Sequence, residues 1–169
     1  MRFFLLAATA AVLLAQSAAG LKWTAPPTWK SAGERPMRAA TYNIAAASGD
    51  SDPAECAVYF FGQGQGGPVE ANLERWKNQF KGPGGKPAEA HVAKKKINGL
   101  QVTTIETSGD YSGMGGPMAP QGGVKGGYRM LAAVIEGPGG NLFLKFTGPA
   151  KTVAANQKAY EGLLNSFKQ

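Results

Sequence analysis

The sequence contains one cysteine and one histidine in 169 residues. A lone Cys56 cannot close a disulfide within the chain and reads as a small buried hydrophobe rather than a nucleophile. A lone His91 excludes any catalytic or metal site built on two histidines. There is no G-x-S-x-G elbow, so the usual serine-hydrolase arrangement is missing as well. Acidic residues are few, 11 against 18 lysines and arginines, for a formal charge of +7. That excess favours anionic surfaces such as lipid or polysaccharide, but it is spread along the chain and names no partner. Beyond residue 20 no apolar run approaches the eighteen or so residues of a membrane span. No internal repeat is visible.

What the chain has in quantity is glycine (24) and proline (11), together with an apolar beginning. Residues 1–19 read as an export signal: Arg2, an apolar run from Phe3 to Ala15, then small residues. Ser17 and Ala19 fit the small-x-small rule, which places cleavage before Gly20 and the product in the periplasm or outside the cell. Without Arg2 the formal charge falls from +7 to +6. The mature chain, about 150 residues, is long enough to bury roughly 68–70% of its unfolded surface without a disulfide. It divides into a Trp- and Pro-rich extended lead-in, 20–38, and a single domain, 39–169.

The domain is organised around Glu55–Phe80. Cys56–Phe61 is a run of apolar and aromatic residues, the pattern of a strand covered on both faces. Gly62, Gln63, Gly64, Gln65, Gly66 and Gly67 follow, and Pro68 stands where a first helical position tolerates it. Val69, Leu73, Trp76 and Phe80 then form one stripe of an amphipathic helix. Elsewhere Arg38–Ala45 reads as a strand with Tyr42 and Ile44 on one face. His91–Ile97 and Leu100–Thr107 flank Asn98-Gly99, the strongest short hairpin signal, which pairs His91 with Glu106. Ser108–Gly127 reads as a long glycine-rich loop. Tyr128–Glu136 and Asn141–Thr147 form a second hairpin around GPGG. A helix closes the chain to about Phe167, burying Val153, Tyr160, Leu163, Leu164 and Phe167. Strands joined by short turns, with the helices segregated onto the sheet faces, make an α+β domain: an antiparallel sheet flanked by two main helices.

Several patterns are candidates for chemistry. The glycine loop 62–67 matches G-x-G-x-x-G between a strand and a helix. A hairpin rather than a crossover strand follows, however, so an anion at the helix start or a plain tight turn suits it better than a dinucleotide. With Tyr111, Met114 and Met118 of the 108–127 loop it forms the expected ligand- or partner-binding surface; the two methionines also admit a soft copper site. His91 and Glu106 are positioned as a pH-sensitive pair. Asp50, Asp52 and Glu55 cluster as weak metal ligands, without the six or more oxygens calcium takes; with Asp110 they are the loop carboxylates a hydrolase would use. Lys94–Lys96 alternate faces of a strand and protect a sheet edge rather than bind nucleic acid. No cofactor is expected.

Trp23-x-x-Pro26-x-x-Trp29, Pro36-Met37-Arg38, the segment FGQGQGGPVEANLERWKNQF and FTGPAKTV resemble an uncharacterised family of exported bacterial proteins over nearly the whole mature chain. The element order is similar, more distantly, to the PsbP-like fold of extrinsic photosystem II subunits and Ran-binding nuclear-import factors. These resemblances imply an α/β/α layout and a non-enzymatic binding or docking domain at the cell envelope, whose partner is an envelope protein or an anionic envelope component. They supply no matched active-site motif. The alternatives are a hydrolase using the loop carboxylates, or a carrier of a small anion or sugar.

Overall fold

Asn98 and Gly99 both take positive φ, 49° and 82°, as a two-residue type I′ turn requires. Ile97 therefore faces Leu100, Lys95 faces Val102, Ala93 faces Thr104 and His91 faces Glu106, the register expected from sequence. In the computed structural model, which describes residues 15–33, 35–113 and 123–169, this hairpin ends an eight-stranded sheet whose pairings are all antiparallel. The elements in chain order are β1 (Ala15–Ala18), β2 (Leu21–Thr24), β3 (Lys30–Ser31), β4 (Arg38–Ile44), β5 (Ala54–Tyr59), α1 (Val69–Lys77), β6 (Phe80–Lys81), β7 (Ala90–Ile97), β8 (Leu100–Tyr111), β9 (Lys125–Gly137), β10 (Gly140–Pro149), α2 (Ala150–Ala155) and α3 (Gln157–Asn165). The sheet order is β3-β4-β5-β10-β9-β8, and the outer edge of β8 is shared between β7 and β6.

The central strands are apolar on both faces because both are covered. On one face Leu142, Leu144 and Phe146 join Cys56, Val58, Ala133 and Ile135 beneath Val153, Tyr160, Leu163, Leu164 and Phe167. On the other, Phe143, Met130, Ala132, Val134 and Ile105 meet Trp76 and Phe80. The layering is α/β/α, and the apolar stripes read from the sequence supply both contacts.

Four expectations change in detail. Phe80 keeps its burial but belongs to β6 rather than to the helix, since α1 ends at Lys77. The closing helix is two helices. Asn156, at φ −108°, breaks it, donates from Nδ2 to the Thr152 carbonyl at 3.0 Å and accepts the Trp29 indole N–H at 3.1 Å. The long loop is shorter at both ends, because Ser108–Tyr111 extends β8 and Lys125–Tyr128 begins β9, with Tyr111 facing Lys125. Gly109 makes the bulge there at φ +145°; a Cβ on it would lie 2.1 Å from the Lys81 carbonyl oxygen. Finally, Glu55 and Asp110 lie in strands β5 and β8 rather than in loops.

The lead-in is pinned by its tryptophans. Trp23 stacks on Phe167 at 5.1 Å and donates its indole N–H to Tyr42 Oη at 2.9 Å. Residues 15–18 of the expected export signal form β1 against β2, and the expected cleavage point before Gly20 falls in the turn between them. Among the described residues no helix is long and apolar enough to cross a membrane.

Candidate ligand cavity

Lys145 stands in the middle of β10, between Leu144 and Phe146, which are both fully buried. Strand alternation turns it to the α1 face of the sheet, level with Ala57 on β5 and Ala132 on β9. The two alanines leave space above them, and α1 roofs it. The result is a cavity of about 40 Å³ lined by Tyr59, Phe61, Arg75, Trp76, Gln79, Phe143 and Lys145. On the scale where one water needs roughly 10–15 Å³, it has room for about three waters.

The amine's polar partners are neutral. Lys145 Nζ donates to Gln79 Oε1 at 2.5 Å and to Tyr111 Oη at 3.2 Å, and lies 5.2 Å from the Tyr111 ring centroid. Gln79 is held in place through its own backbone: its carbonyl accepts the Ser112 N–H at 2.9 Å and the Ser112 hydroxyl at 3.2 Å. The second cation on the cavity, Arg75, donates to Asn72 Oδ1 at 2.5 Å, again a neutral acceptor. Glu55 is the nearest acidic influence, but its carboxylate is bonded to Arg38 at 2.8 Å. Burial pushes the Lys145 ammonium down to about 7; Glu55 opposes the fall, while Arg75 and Arg38 add to it. Burial also raises the Tyr111 phenol to about 12, with Tyr59 and Glu55 adding to it and Arg38 opposing. Tyr111 therefore remains a proton-bearing hydroxyl beside the amine.

Aromatic rings continue outward from the cavity. Tyr111 stacks on Tyr128 at 5.6 Å with the planes 5° apart, and tilts against Phe80 at 4.9 Å. Tyr128 Oη donates to Asp52 at 2.9 Å, and Lys125 pairs with the same carboxylate at 3.0 Å. These two hydrogen bonds hold the Asp52 carboxyl below its usual range. At the other end, the arginine of Arg38–Glu55 lies 5.0 Å over the Tyr59 ring.

The residues singled out from sequence fall into separate places. Tyr111 borders the cavity through its contact with Lys145. The glycine loop does not line the cavity but backs two of its rings: a Cβ on Gly66 would sit 2.7 Å from the Phe143 ring and 2.9 Å from Phe61. Gly62, Gly64, Gly66 and Gly67 all take positive φ, and Asn72 Nδ2 donates to the carbonyls of Gly66 at 2.8 Å and Pro68 at 2.9 Å. The loop's turns are thus tied from within, with Gln65 N–H donating to Gly62 at 3.1 Å, while Gln63 packs beside Gly140. Met114 and Met118 lie outside the described residues. His91 faces Glu106 across the hairpin, yet the Glu106 carboxylate is engaged by Arg129 at 2.7 Å, on the helix α3 side of the sheet rather than at the cavity. Asp50, Asp52 and Glu55 diverge: Asp50 accepts the Thr152 N–H and hydroxyl at 3.0 and 2.6 Å, and the other two take the partners already named. Among the described residues no three acidic, His or Cys side chains converge as a metal site would require.

Sequence reading missed Lys145. The available signal was a single charge inside LFLKF, a strand apolar on both faces, where a lysine is rarely enclosed without a partner.

No protein-family model matches this chain, and no curated protein sequence matches it. Among solved structures it is similar to LpqN of Mycobacterium tuberculosis, described as involved in cell envelope biogenesis, with a TM-score of 0.58 and 11% identity over 88% of this chain and 82% of that one. It is similar to PA94 of Pseudomonas aeruginosa, a protein of unknown function, with a TM-score of 0.51 and 14% identity over 90% and 94%. It is similar also to CyanoP, the cyanobacterial PsbP of Synechocystis sp. PCC 6803, with a TM-score of 0.55 and 13% identity over 96% and 95%. At such identities the likeness shows the fold, and the fold is PsbP-like α+β, as the order of elements implied.

Proposed function

We propose that this chain is an exported, non-enzymatic binding domain of the cell envelope that seats a small organic anion in the cavity beneath α1. The observation that carries this reading is that both cations on the cavity, Lys145 and Arg75, have neutral hydrogen-bond partners. Lys145 is half-buried among aromatic rings and Arg75 is exposed at the cavity's edge, and an anion that enters between them gains charge-assisted hydrogen bonds from both. The walls of Tyr59, Phe61, Trp76 and Phe143 suit a short apolar body behind a carboxylate. The export signal read in residues 1–19 and the likeness to LpqN support the envelope address.

The hydrolase alternative finds less support, because Asp50, Asp52 and Glu55 are each engaged by a different protein group. The test is a titration of isotope-labelled protein with propionate and, separately, with propionamide, its neutral isostere. Propionate is expected to shift the resonances of residues around Lys145, Trp76 and Phe143, and Lys145→Met to abolish those shifts. Equal shifts from the amide, or none from the acid, overturn the reading.

A further inference from the structure

Anion capture accounts for the charge of Lys145 but leaves its other property unused: an amine with a phenol beside it, among aromatic rings. Three features meet at this one place. Nζ lies 3.2 Å from Tyr111 Oη, within reach for proton exchange. Arg75, an exposed side chain tied to Asn72, lines the same cavity, and a guanidinium suits a carboxylate. Tyr59, Phe61, Trp76 and Phe143 line the cavity on the other sides, an apolar lining that disfavours hydrolysis of a carbon–nitrogen double bond.

We infer that the ligands of this cavity are short 2-oxo acids, such as glyoxylate or pyruvate, whose carboxylate meets Arg75 while the Lys145 amine captures the carbonyl carbon as a reversible imine. This rests on the anion-seat reading and adds the covalent step. The Nζ lone pair adds to the carbonyl carbon, the carbonyl oxygen takes a proton, and the carbinolamine expels that oxygen as water, leaving C=N. Ammonium plus ketone gives iminium plus water, with no change of oxidation state. Tyr111 is the group placed to hand the proton to the departing oxygen and to recover one from nitrogen. The cavity of about 40 Å³ favours the shortest members of the class.

Burial helps the step by freeing the nucleophile. With its ammonium pushed down to about 7, Lys145 offers far more free amine at neutral pH than an ordinary lysine does. An ordinary lysine at about 10.4 offers roughly one amine in 2,500. Surface lysines such as Lys94, Lys95 and Lys96 therefore serve as comparators within the same molecule.

The full chain is incubated at pH 7 with pyruvate and sodium cyanoborohydride, which reduces an imine to a stable secondary amine, and the modified lysines are mapped by tandem mass spectrometry. Lys145 is expected to be labelled at least tenfold faster than any of Lys94, Lys95 and Lys96. Lys145→Arg should lose that adduct. Tyr111→Phe should slow labelling about tenfold. Labelling spread evenly over the lysines, or absent, overturns the imine. If propionate still binds in that case, the anion seat stands without it, and if neither acid binds, both readings fall. The wild-type labelling pattern decides the matter even should a variant fold poorly.

Discussion

Lys145 carries a cost that can be read as a pH dependence. Unfolded, its ammonium titrates near 10.4; folded, burial brings it down to about 7. Between those two values the unfolded chain binds the extra proton, so the stability contribution from this residue rises with pH across that window and is least favourable below 7. The charged groups acting on it are Glu55, Arg75 and Arg38, with the Tyr111 hydroxyl in contact. Replacement by methionine, similar in length and apolar, is expected to stabilise the fold at pH 6 by about 1–3 kcal/mol. The gap between the two proteins should then narrow steadily towards pH 10. Urea denaturation of both at pH 6, 8 and 10 checks this, and a gap that stays constant with pH contradicts it. Asn72 is the opposite case, a fully buried polar side chain whose amide ties Gly66 and Pro68 and whose oxygen holds Arg75. Asn72→Leu strands those groups, and a loss of about 1–3 kcal/mol is expected.

At the scale of elements, the glycine loop shows what a sequence pattern can and cannot say. That 62–67 joins a strand to a helix was legible, as were the Asn98-Gly99 turn and the buried stripe of Val153, Tyr160, Leu163, Leu164 and Phe167, because each is a local signal with a local cause. Periodicity does not carry which glycines are indispensable, since that depends on a ring from another strand. Gly66 and Gly64 both have positive φ, but a Cβ on Gly66 meets Phe143 at 2.7 Å whereas one on Gly64 meets nothing within 4 Å. Gly64→Ala should cost about 1–2 kcal/mol for the left-handed backbone alone. Gly66→Ala adds the overpacking of a buried ring, a further 1–3 kcal/mol or so, and should also alter ligand binding because Phe143 walls the cavity. Chemical denaturation of the pair separates the two terms. The cavity itself was illegible for the same reason. Lys145, Gln79, Tyr111 and Arg75 come from β10, the turn after α1, β8 and α1, and only the sheet order β10-β9-β8 brings them together. The break at Asn156 was equally hidden, since its side chain is satisfied by Trp29, far away in sequence.

For the molecule as a whole, the N-terminal hairpin bears on the export signal proposed for residues 1–19. Small residues before Gly20 invite cleavage there, but the structure uses the residues on both sides of that bond. Gln16 Oε1 accepts the Tyr42 hydroxyl, and the Ala19 carbonyl accepts the Gly139 N–H at 3.0 Å. A chain beginning at Gly20 loses β1 and leaves the Tyr42 proton, on a side chain otherwise enclosed by Trp23 and Trp29, without that acceptor. An unsatisfied buried donor costs about 1–3 kcal/mol, which in a domain of this size amounts to roughly 2–12 °C of melting temperature. Two shortened proteins, one starting at Gln16 and one at Gly20, should therefore melt several degrees apart, with the longer more stable. Equal melting temperatures would show that the β1 strand contributes nothing to the core formed by Trp23, Tyr42 and Phe167.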